Sequence, residues 1–158
     1  AAFVTVHGRT RMQMYSGTAD WDKIAEVVNA VRIPVIGNGD VFSGADAAAL
    51  AAKTGCAGIM AARGAQGNPF LFAEIRAALR GEDYVPPSAC TRLDAALRHI
   101  SEYVAAHGDG AFADMRKHIA WYTKGMYGRT ELRRRVNNCG STAELSELVR
   151  RFRDEVSD

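Results

Sequence analysis

The sequence predicts an α/β half followed by an all-α half. Within the first 82 residues, short β-rich apolar runs alternate with segments that carry apolar residues at helical spacing. Beyond residue 90 only the helical spacing remains, and a proline pair lies in between. We therefore expect an α/β domain over 1–82, a linker over 83–90 and a helical domain over 91–158.

Three strands are predicted in the first half, over residues 3–6, 34–36 and 57–61. Strands that alternate with helices at this spacing pair in parallel through right-handed crossovers. Three of them cannot close a barrel, which usually takes about 250 residues. We expect either an open sheet or the last three strands of a barrel. Because the chain opens directly on an apolar run without Met, we expect it to be the C-terminal part of a longer chain.

The residues that begin and end the first-half helices are recognisable. Asp20 and Ser43 are good N-cap residues for two helices, and Gly55 stands where the second would end. Asn68, followed by proline, predicts the N-cap of a third helix over 69–80.

Four amphipathic helices with short connections are predicted in the second half, as in a small antiparallel bundle. The third of them is expected over 130–136, and Ser141 with Glu144 predicts a capping box for the last. The first two are indicated by apolar stripes, which contain Leu93, Leu97, Ile100 and Val104, and then Phe112, Met115, Ile119, Tyr122 and Met126.

The composition excludes several classes of protein. The chain is 47% hydrophobic and 24% charged, which excludes a disordered or collagen-like polypeptide. Its net charge of +2 is too small for a chain that coats nucleic acid along its whole length. No apolar run is long enough for a membrane helix, and the three cysteines fit reduced thiols better than a disulfide framework. We expect a cytoplasmic protein with no membrane contact and, since no His or Cys has metal-ligand spacing, no metal. Nothing indicates a particular protein partner.

Three loops follow the predicted strands, over residues 7–17, 37–40 and 63–67. Ligands of parallel α/β proteins bind beyond the carboxyl ends of the strands. The second and third loops are glycine-rich and precede helix N-termini, and Arg63 adds a cation, so a phosphate-bearing ligand is favoured. The alternative is that these glycines only make strand-to-helix turns.

Four side chains in these loops are candidates for ligand contact. His7 is placed to donate to a phosphate or a cofactor oxygen, or is an ordinary polar cap at a strand end. Arg9 and Arg11 suit a nucleotide substrate, or belong to a solvated turn. Asp40 meets a ligand hydroxyl, orients its loop or caps the next helix.

The second half has one strongly basic segment. Between residues 116 and 135 there are seven basic residues and one acidic residue. Lys117, Trp121 and Lys124 are predicted to share a helix face opposite the apolar stripe. Basic residues interleaved with an aromatic suit an RNA backbone and its bases, although a charged run is more often only a solvated face.

Taken in order, the motifs of this chain closely resemble those of the tRNA-dihydrouridine synthases, in the bacterial branch once described as nitrogen-regulation-like. The resemblance covers essentially the whole chain. The motifs are HGRTR at 7–11, GTADW at 17–21, PVIGNGD at 34–40, ARGAQGNPF at 62–70 and RKHIAWY at 116–122.

The resemblance implies the last part of a TIM-type (β/α)8 barrel that binds FMN, followed by a helical tRNA-binding domain. In that family NADPH reduces the flavin, which passes hydride to C6 of a flipped-out uridine while a cysteine protonates C5. His7 would then contact FMN, and Arg63 would hold its phosphate. The remaining phosphate-loop residues implied are Asn38, Gly39, Asp40, Ala62, where the family usually has Gly, and Gly64.

The tRNA contacts implied are Arg9, Arg11, Arg116, Lys117, Trp121 and Lys124. The family's catalytic cysteine and flavin-contacting lysine would lie upstream, and none of Cys56, Cys90 and Cys139 matches the catalytic position. We therefore expect no catalytic residue within this chain and no activity from it alone. Two alternatives remain: an FMN-barrel oxidoreductase that acts on a small molecule, and a non-catalytic RNA-binding or regulatory protein.

Overall fold

A computed structural model describes residues 1–156 of the chain. These residues form two compact units. The first contains residues 1–65 and 69–86, and the second contains residues 66–68 and the chain from 87 onward.

The first unit is built on a parallel three-stranded sheet in the order β1 (Val4–His7), β2 (Val35–Asn38), β3 (Gly58–Met60). The three predicted parallel strands are thus confirmed. β2 runs two residues further than predicted because its ladder with β1 continues to the pair of His7 with Asn38.

Three helices belong to this unit: α1 (Trp21–Ala30), α2 (Gly44–Thr54) and α3 (Leu71–Arg80). The predicted caps of the first two are confirmed, since the Asp20 and Ser43 side chains accept backbone N–H groups of the first turn. Gly55 ends α2 in the left-handed conformation, where glycine meets no steric penalty.

The Asn68 cap is wrong. The N-cap of α3 is Phe70, which makes no side-chain cap bond. Residues 63–65 first form a 3₁₀ turn, and the Phe70 carbonyl accepts the first helical N–H groups, from Ala73 and Glu74. A residue before proline is also biased toward extended backbone, which separates Asn68 from the helix.

The core of the first unit lies between the sheet and its helices. Ile24 from α1, Leu50 from α2 and Leu71 from α3 are completely buried, as expected from their helical spacing. This core fixes the strand ends, and therefore the loops that leave them.

The second unit contains α4 (Ala89–His107), α5 (Phe112–Tyr122), α6 (Arg129–Asn138) and α7 (Thr142–Glu155), with a 3₁₀ turn before α5. These are the four helices predicted, although α4 begins inside the segment 83–90 expected as linker. The second stripe ends earlier than expected, because α5 stops at Tyr122 and Met126 packs from a turn. No helix within residues 1–156 has the length and apolarity needed to cross a membrane.

Half of the predicted capping box forms at α7. The Ser141 side chain accepts the Glu144 N–H, as predicted. The Glu144 carboxylate, however, accepts the N–H of Gly140 at 2.8 Å, one residue before the expected partner. The last two residues of the predicted helical domain, 157–158, lie outside the described residues.

Candidate functional site

The carboxyl ends of the three parallel strands bring separate loops of the first unit together. Asp40, just after β2, contacts Arg9 from the loop after β1 and Arg63 from the turn after β3. These residues are 31 and 23 positions from Asp40 in sequence, so only the sheet topology explains the cluster. We call Arg9, Asp40 and Arg63 the charged cluster.

Asp40 is the centre of the charged cluster and accepts four hydrogen bonds. Arg9 donates to both carboxylate oxygens at 2.7 Å, the Ala19 N–H donates at 2.7 Å and Arg63 donates at 3.2 Å. The backbone of Asp40 is left-handed, with φ +54°, a conformation that Asp and Asn tolerate better than most residues. Hydrogen bonds from Arg9 hold the pKa of Asp40 below its usual value, against the opposing effect of partial burial.

The Arg9 side chain donates four hydrogen bonds. Besides its two bonds to Asp40, its Nε donates to the Ser16 carbonyl at 3.2 Å and its Nη2 to the Gly17 carbonyl at 2.6 Å. A guanidinium has five N–H donors, so one is left for a ligand. With only 11% of its side chain exposed, Arg9 chiefly fastens the loop after β1 onto Asp40.

Among the described residues, the Arg63 side chain donates fewer hydrogen bonds than that of Arg9. Its bond to Asp40 is the longest in the charged cluster, and 35% of its side chain is exposed. Its guanidinium lies 4.6 Å from the Tyr15 ring centroid and 5.5 Å from that of Phe42, within the range of cation–π attraction. Arg63 is therefore oriented by its neighbours while most of its donors remain available.

His7 and Asn38 form a second pair at the same sheet edge. The Asn38 Nδ2 donates to the Met60 carbonyl at 2.6 Å, which turns its Oδ1 toward the His7 Nδ1, 2.7 Å away. His7 therefore carries a proton on Nδ1, and its Nε2 accepts in the neutral ring or donates in the imidazolium. Asn38 thus positions His7 rather than presenting its own amide to a ligand.

Two glycines let the loops approach closely. A Cβ on Gly39 would lie 2.5 Å from that of Ala19, and one on Gly64 would lie 2.2 Å from the Val41 carbonyl oxygen. A larger residue at Gly39 would push the second loop away from the segment that follows β1, and one at Gly64 would push the third loop away from the residues after Asp40. Ala62 is exposed, and its carbonyl accepts the Ala65 N–H that closes the 3₁₀ turn.

The loop after β1 also presents an exposed tip. Arg11 is exposed, and Met12 and Met14 keep 92% and 71% of their surface. Met14 adopts φ +48°, which is uncommon for a residue with a side chain of this size. This tip offers a cation and apolar groups to whatever approaches it.

In the second unit, the predicted basic residues separate into two kinds. The Arg116 guanidinium donates to the Cys139 carbonyl at 2.6 Å and lies over the Phe112 ring, so this side chain makes contacts within the second unit. Lys117 and Lys124 are exposed, and Trp121 is half-buried. Lys124 does not share the helix face, contrary to prediction, because α5 ends two residues before it.

Sequence reasoning missed the parts played by Arg92, Trp21 and Phe42. Arg92 donates to the Tyr122 and Lys124 carbonyls at 2.6 and 3.1 Å, which supplies partners at the end of α5. The Trp21 indole donates to the Gly39 carbonyl at 3.0 Å and so fixes the second loop. An aromatic residue near a glycine-rich turn is a signal that the sequence does contain, but it does not show toward which backbone group the Trp21 indole N–H points.

Rings from α4 and α5 cluster on the second unit. The His118 ring lies 4.9 Å from that of His99 and 4.8 Å from that of Trp121, both edge to face. Burial, together with the nearby charges of His99 and Lys117, lowers the pKa of His118. His118 is therefore expected to be neutral at physiological pH.

The three cysteines occupy different parts of the two units. Cys56 immediately precedes the residues that lead into β3, Cys90 lies in α4, and Cys139 is buried at the end of α6. Within residues 1–156, no group of three or more His, Cys, Asp or Glu side chains is arranged to hold a metal ion.

Comparison with known proteins gives the family. The family model described as dihydrouridine synthase matches residues 1–157. Three similar proteins, from Mycobacterium leprae, Rickettsia conorii and Synechocystis, are each named a probable tRNA-dihydrouridine synthase, the last with the number 1. They are 42%, 40% and 39% identical to this chain over 96%, 98% and 94% of its length.

The chain spans less than half the length of these relatives, with 40%, 47% and 42% of each covered. The match to the family model nevertheless extends through both units. On these grounds the chain belongs to the dihydrouridine synthase family.

Proposed function

We propose that the full-length protein containing these residues is an FMN-dependent tRNA-dihydrouridine synthase that reduces uridines in tRNA to 5,6-dihydrouridine with NADPH. The names of the relatives support the reaction and the substrate. The observation that carries the cofactor site is Arg63, an oriented and half-exposed cation at the carboxyl edge of a parallel sheet. The first unit would be the last part of a TIM-type barrel, as the family implies.

The loops fit a phosphate group. Gly39 and Gly64 bring backbone close to the edge of the sheet, and Arg63 keeps N–H donors for an anion. The charged cluster holds two cations and one anion, so its net charge of +1 attracts a phosphate. We place the FMN phosphate beside the backbone of Asn38, Gly39 and Asp40, whose side chains have other partners, and at the turn formed by Ala62, Arg63 and Gly64.

His7 would contact the cofactor through Nε2, the nitrogen that Asn38 leaves available. A donating Nε2 requires the imidazolium, because Nδ1 already carries a proton toward Asn38. Bound FMN supplies hydride transfer, which no side chain of this chain provides. The protein's part is to bind, to orient and to exclude competing reactions.

Two regions would meet tRNA. In the first unit, Arg11 is exposed at the loop tip and Arg9 orders that loop while keeping one N–H. In the second unit, Lys117 and Lys124 offer exposed charges to phosphates and Trp121 offers a half-buried aromatic ring. Arg116 adds positive charge from a more internal position. A tRNA substrate implies a cytoplasmic protein.

The 158-residue chain alone is proposed to be inactive. The family reaction needs a cysteine to protonate C5. Of the three cysteines here, Cys56 precedes β3, Cys90 lies in α4 and Cys139 belongs to the core of the second unit. The proton donor would then come from residues outside this chain. Rate measurements on the chain and on the full-length protein side by side test this directly.

The experiment for the function uses the full-length protein and tRNA transcribed without modifications. We expect a yellow protein that forms dihydrouridine only when NADPH is present. A flavoprotein that ignores tRNA but oxidises NADPH with a small acceptor would overturn the substrate. A colourless protein that binds tRNA and gains no activity with added FMN would overturn the enzyme and leave an RNA-binding protein.

A further inference from the structure

The two arginines that contact Asp40 differ in how much of their hydrogen-bonding capacity is already used. Within residues 1–156, Arg9 uses four of its five N–H groups, and Arg63 uses one, over 3.2 Å. The exposed fractions follow the same order, 11% for the Arg9 side chain and 35% for that of Arg63. One carboxylate therefore anchors one arginine firmly and the other loosely.

We propose that Asp40 is a positioning residue, which locks Arg9 as the anchor of the loop after β1 and aims Arg63 at the phosphate without contacting the phosphate itself. This rests on the proposed FMN site. The single, longer bond from Arg63 leaves that guanidinium free to shift toward an incoming phosphate. The two short bonds from Arg9 to both carboxylate oxygens keep Asp40 in place when it does so.

A direct contact between Asp40 and the phosphate is disfavoured by charge. The Asp40 carboxylate is ionised at neutral pH, the more so because hydrogen bonds from Arg9 lower its pKa, and an ionised carboxylate only accepts hydrogen bonds. A phosphate oxygen likewise accepts, so the two groups repel. The residue is useful to an anion site only through the arginines that it holds.

Because of this repulsion, the proposal can be tested by whether removal of the Asp40 charge tightens or weakens FMN binding. If Asp40 acted only as a nearby negative charge, its removal would tighten FMN binding. If it positions Arg63, removal weakens FMN binding although the site becomes more positive. The substitution Asp40→Asn is well matched, because Asn has the same shape and tolerates the left-handed backbone at φ +54°.

The experiment titrates FMN and riboflavin into the full-length apoprotein and follows flavin fluorescence. Riboflavin lacks the phosphate, so the ratio of the two dissociation constants isolates the phosphate contribution. For Asp40→Asn we expect the FMN dissociation constant to rise about tenfold, the effect of weakening one charge-assisted hydrogen bond, and that of riboflavin to stay within about twofold. An unchanged or lower FMN dissociation constant overturns the proposal.

A second pair of variants covers the case in which Asp40→Asn does not fold. Arg63→Lys should weaken FMN binding about tenfold and leave the melting temperature nearly unchanged, whereas Arg9→Lys should lower the melting temperature because lysine cannot replace the bidentate contact. If Arg9→Lys weakens FMN binding as strongly as Arg63→Lys with no loss of melting temperature, Arg9 is a ligand and the proposal is wrong. If the wild-type protein binds FMN no better than riboflavin, the proposed phosphate site fails, whatever the variants do.

Discussion

Substitution of Gly64 by alanine gives a quantitative test of how tightly the loops of the first unit approach each other. A Cβ added to Gly64 would lie 2.2 Å from the Val41 carbonyl oxygen, 2.9 Å from a Leu71 methyl and 3.0 Å from the Phe42 Cα. Real Cβ atoms are essentially never closer than 3.0 Å to another heavy atom, so the Val41 carbonyl must move by about 0.8 Å. Two of the three atoms in the way are backbone, which a rotamer change cannot relieve.

The cost follows from what resists that movement. Val41 is buried, with 4% of its surface exposed, and it directly follows Asp40. A shift of its carbonyl therefore disturbs both the core and the charged cluster. Overpacking of this kind costs about 2–3 kcal/mol. Because the shift per kcal/mol falls as a protein grows, we expect the melting temperature of the full-length protein to fall by roughly 3–6 °C.

The assay is thermal and urea unfolding of the full-length protein, followed by circular dichroism. Gly110→Ala is the matched control, because a Cβ at Gly110 meets nothing within 4 Å and its φ is not positive. Gly17→Ala isolates backbone strain, since its φ is +62° with nothing within 4 Å, and should cost about 1 kcal/mol. A Gly64→Ala protein that melts within experimental error of Gly110→Ala would refute the close approach of these loops.

Three further predictions concern charge. The Arg9 guanidinium lowers the pKa of Asp40 below its ordinary value of 3.8. The ionised carboxylate therefore stabilises the folded state fully above pH 3.8, and this stabilisation is lost as the pH falls through the pKa of the folded state. In urea unfolding at a series of pH values, Asp40→Asn should remove this part of the acid sensitivity. Because burial lowers the pKa of His118 below 6.5, the folded state resists its protonation and stability should fall as the pH drops below 6.5, with a flatter profile for His118→Gln over the same range. Replacing Lys117 or Lys124 by glutamine should weaken tRNA binding and reduce the slope of log affinity against log salt by about one each, whereas Lys53→Gln, which removes a lysine of α2 paired with an aspartate, should leave the slope unchanged.

Local signals in the sequence were enough for most of the fold. Asp20 and Ser43 cap their helices through bonds that span only two or three residues, so the sequence alone specifies them. Asn68 failed as a cap because α3 begins only at Leu71, so Phe70 and not Asn68 precedes the first helical residue. The predicted start of α3, residue 69, therefore lies two residues before the observed one.

The sequence predicts where the candidate ligand loops lie but not the roles of the side chains in them. It predicts that residues 7–17, 37–40 and 63–67 follow parallel strands, and in the structure Asp40 contacts Arg9 and Arg63 from the other two loops. Which of these residues bind a ligand stays a prediction. The sequence could not show which arginine donates hydrogen bonds to loop carbonyls, because that depends on the path of the backbone over residues 10–17. For the same reason the sequence could not show that the long Arg116 side chain reaches the Cys139 carbonyl, and its contact with tRNA stays a prediction.

The charged cluster also predicts which defects should appear together. Arg9 joins Asp40 to the Ser16 and Gly17 carbonyls, and so fixes the loop whose tip presents Arg11. A loss of Asp40 should therefore impair FMN affinity and also raise the KM for tRNA, because one carboxylate controls both the phosphate arginine and the substrate loop. Loss of the exposed lysines in the second unit should affect tRNA binding alone. If Asp40→Asn changed the affinity for FMN but not the KM for tRNA, the loop after β1 would not take part in substrate binding.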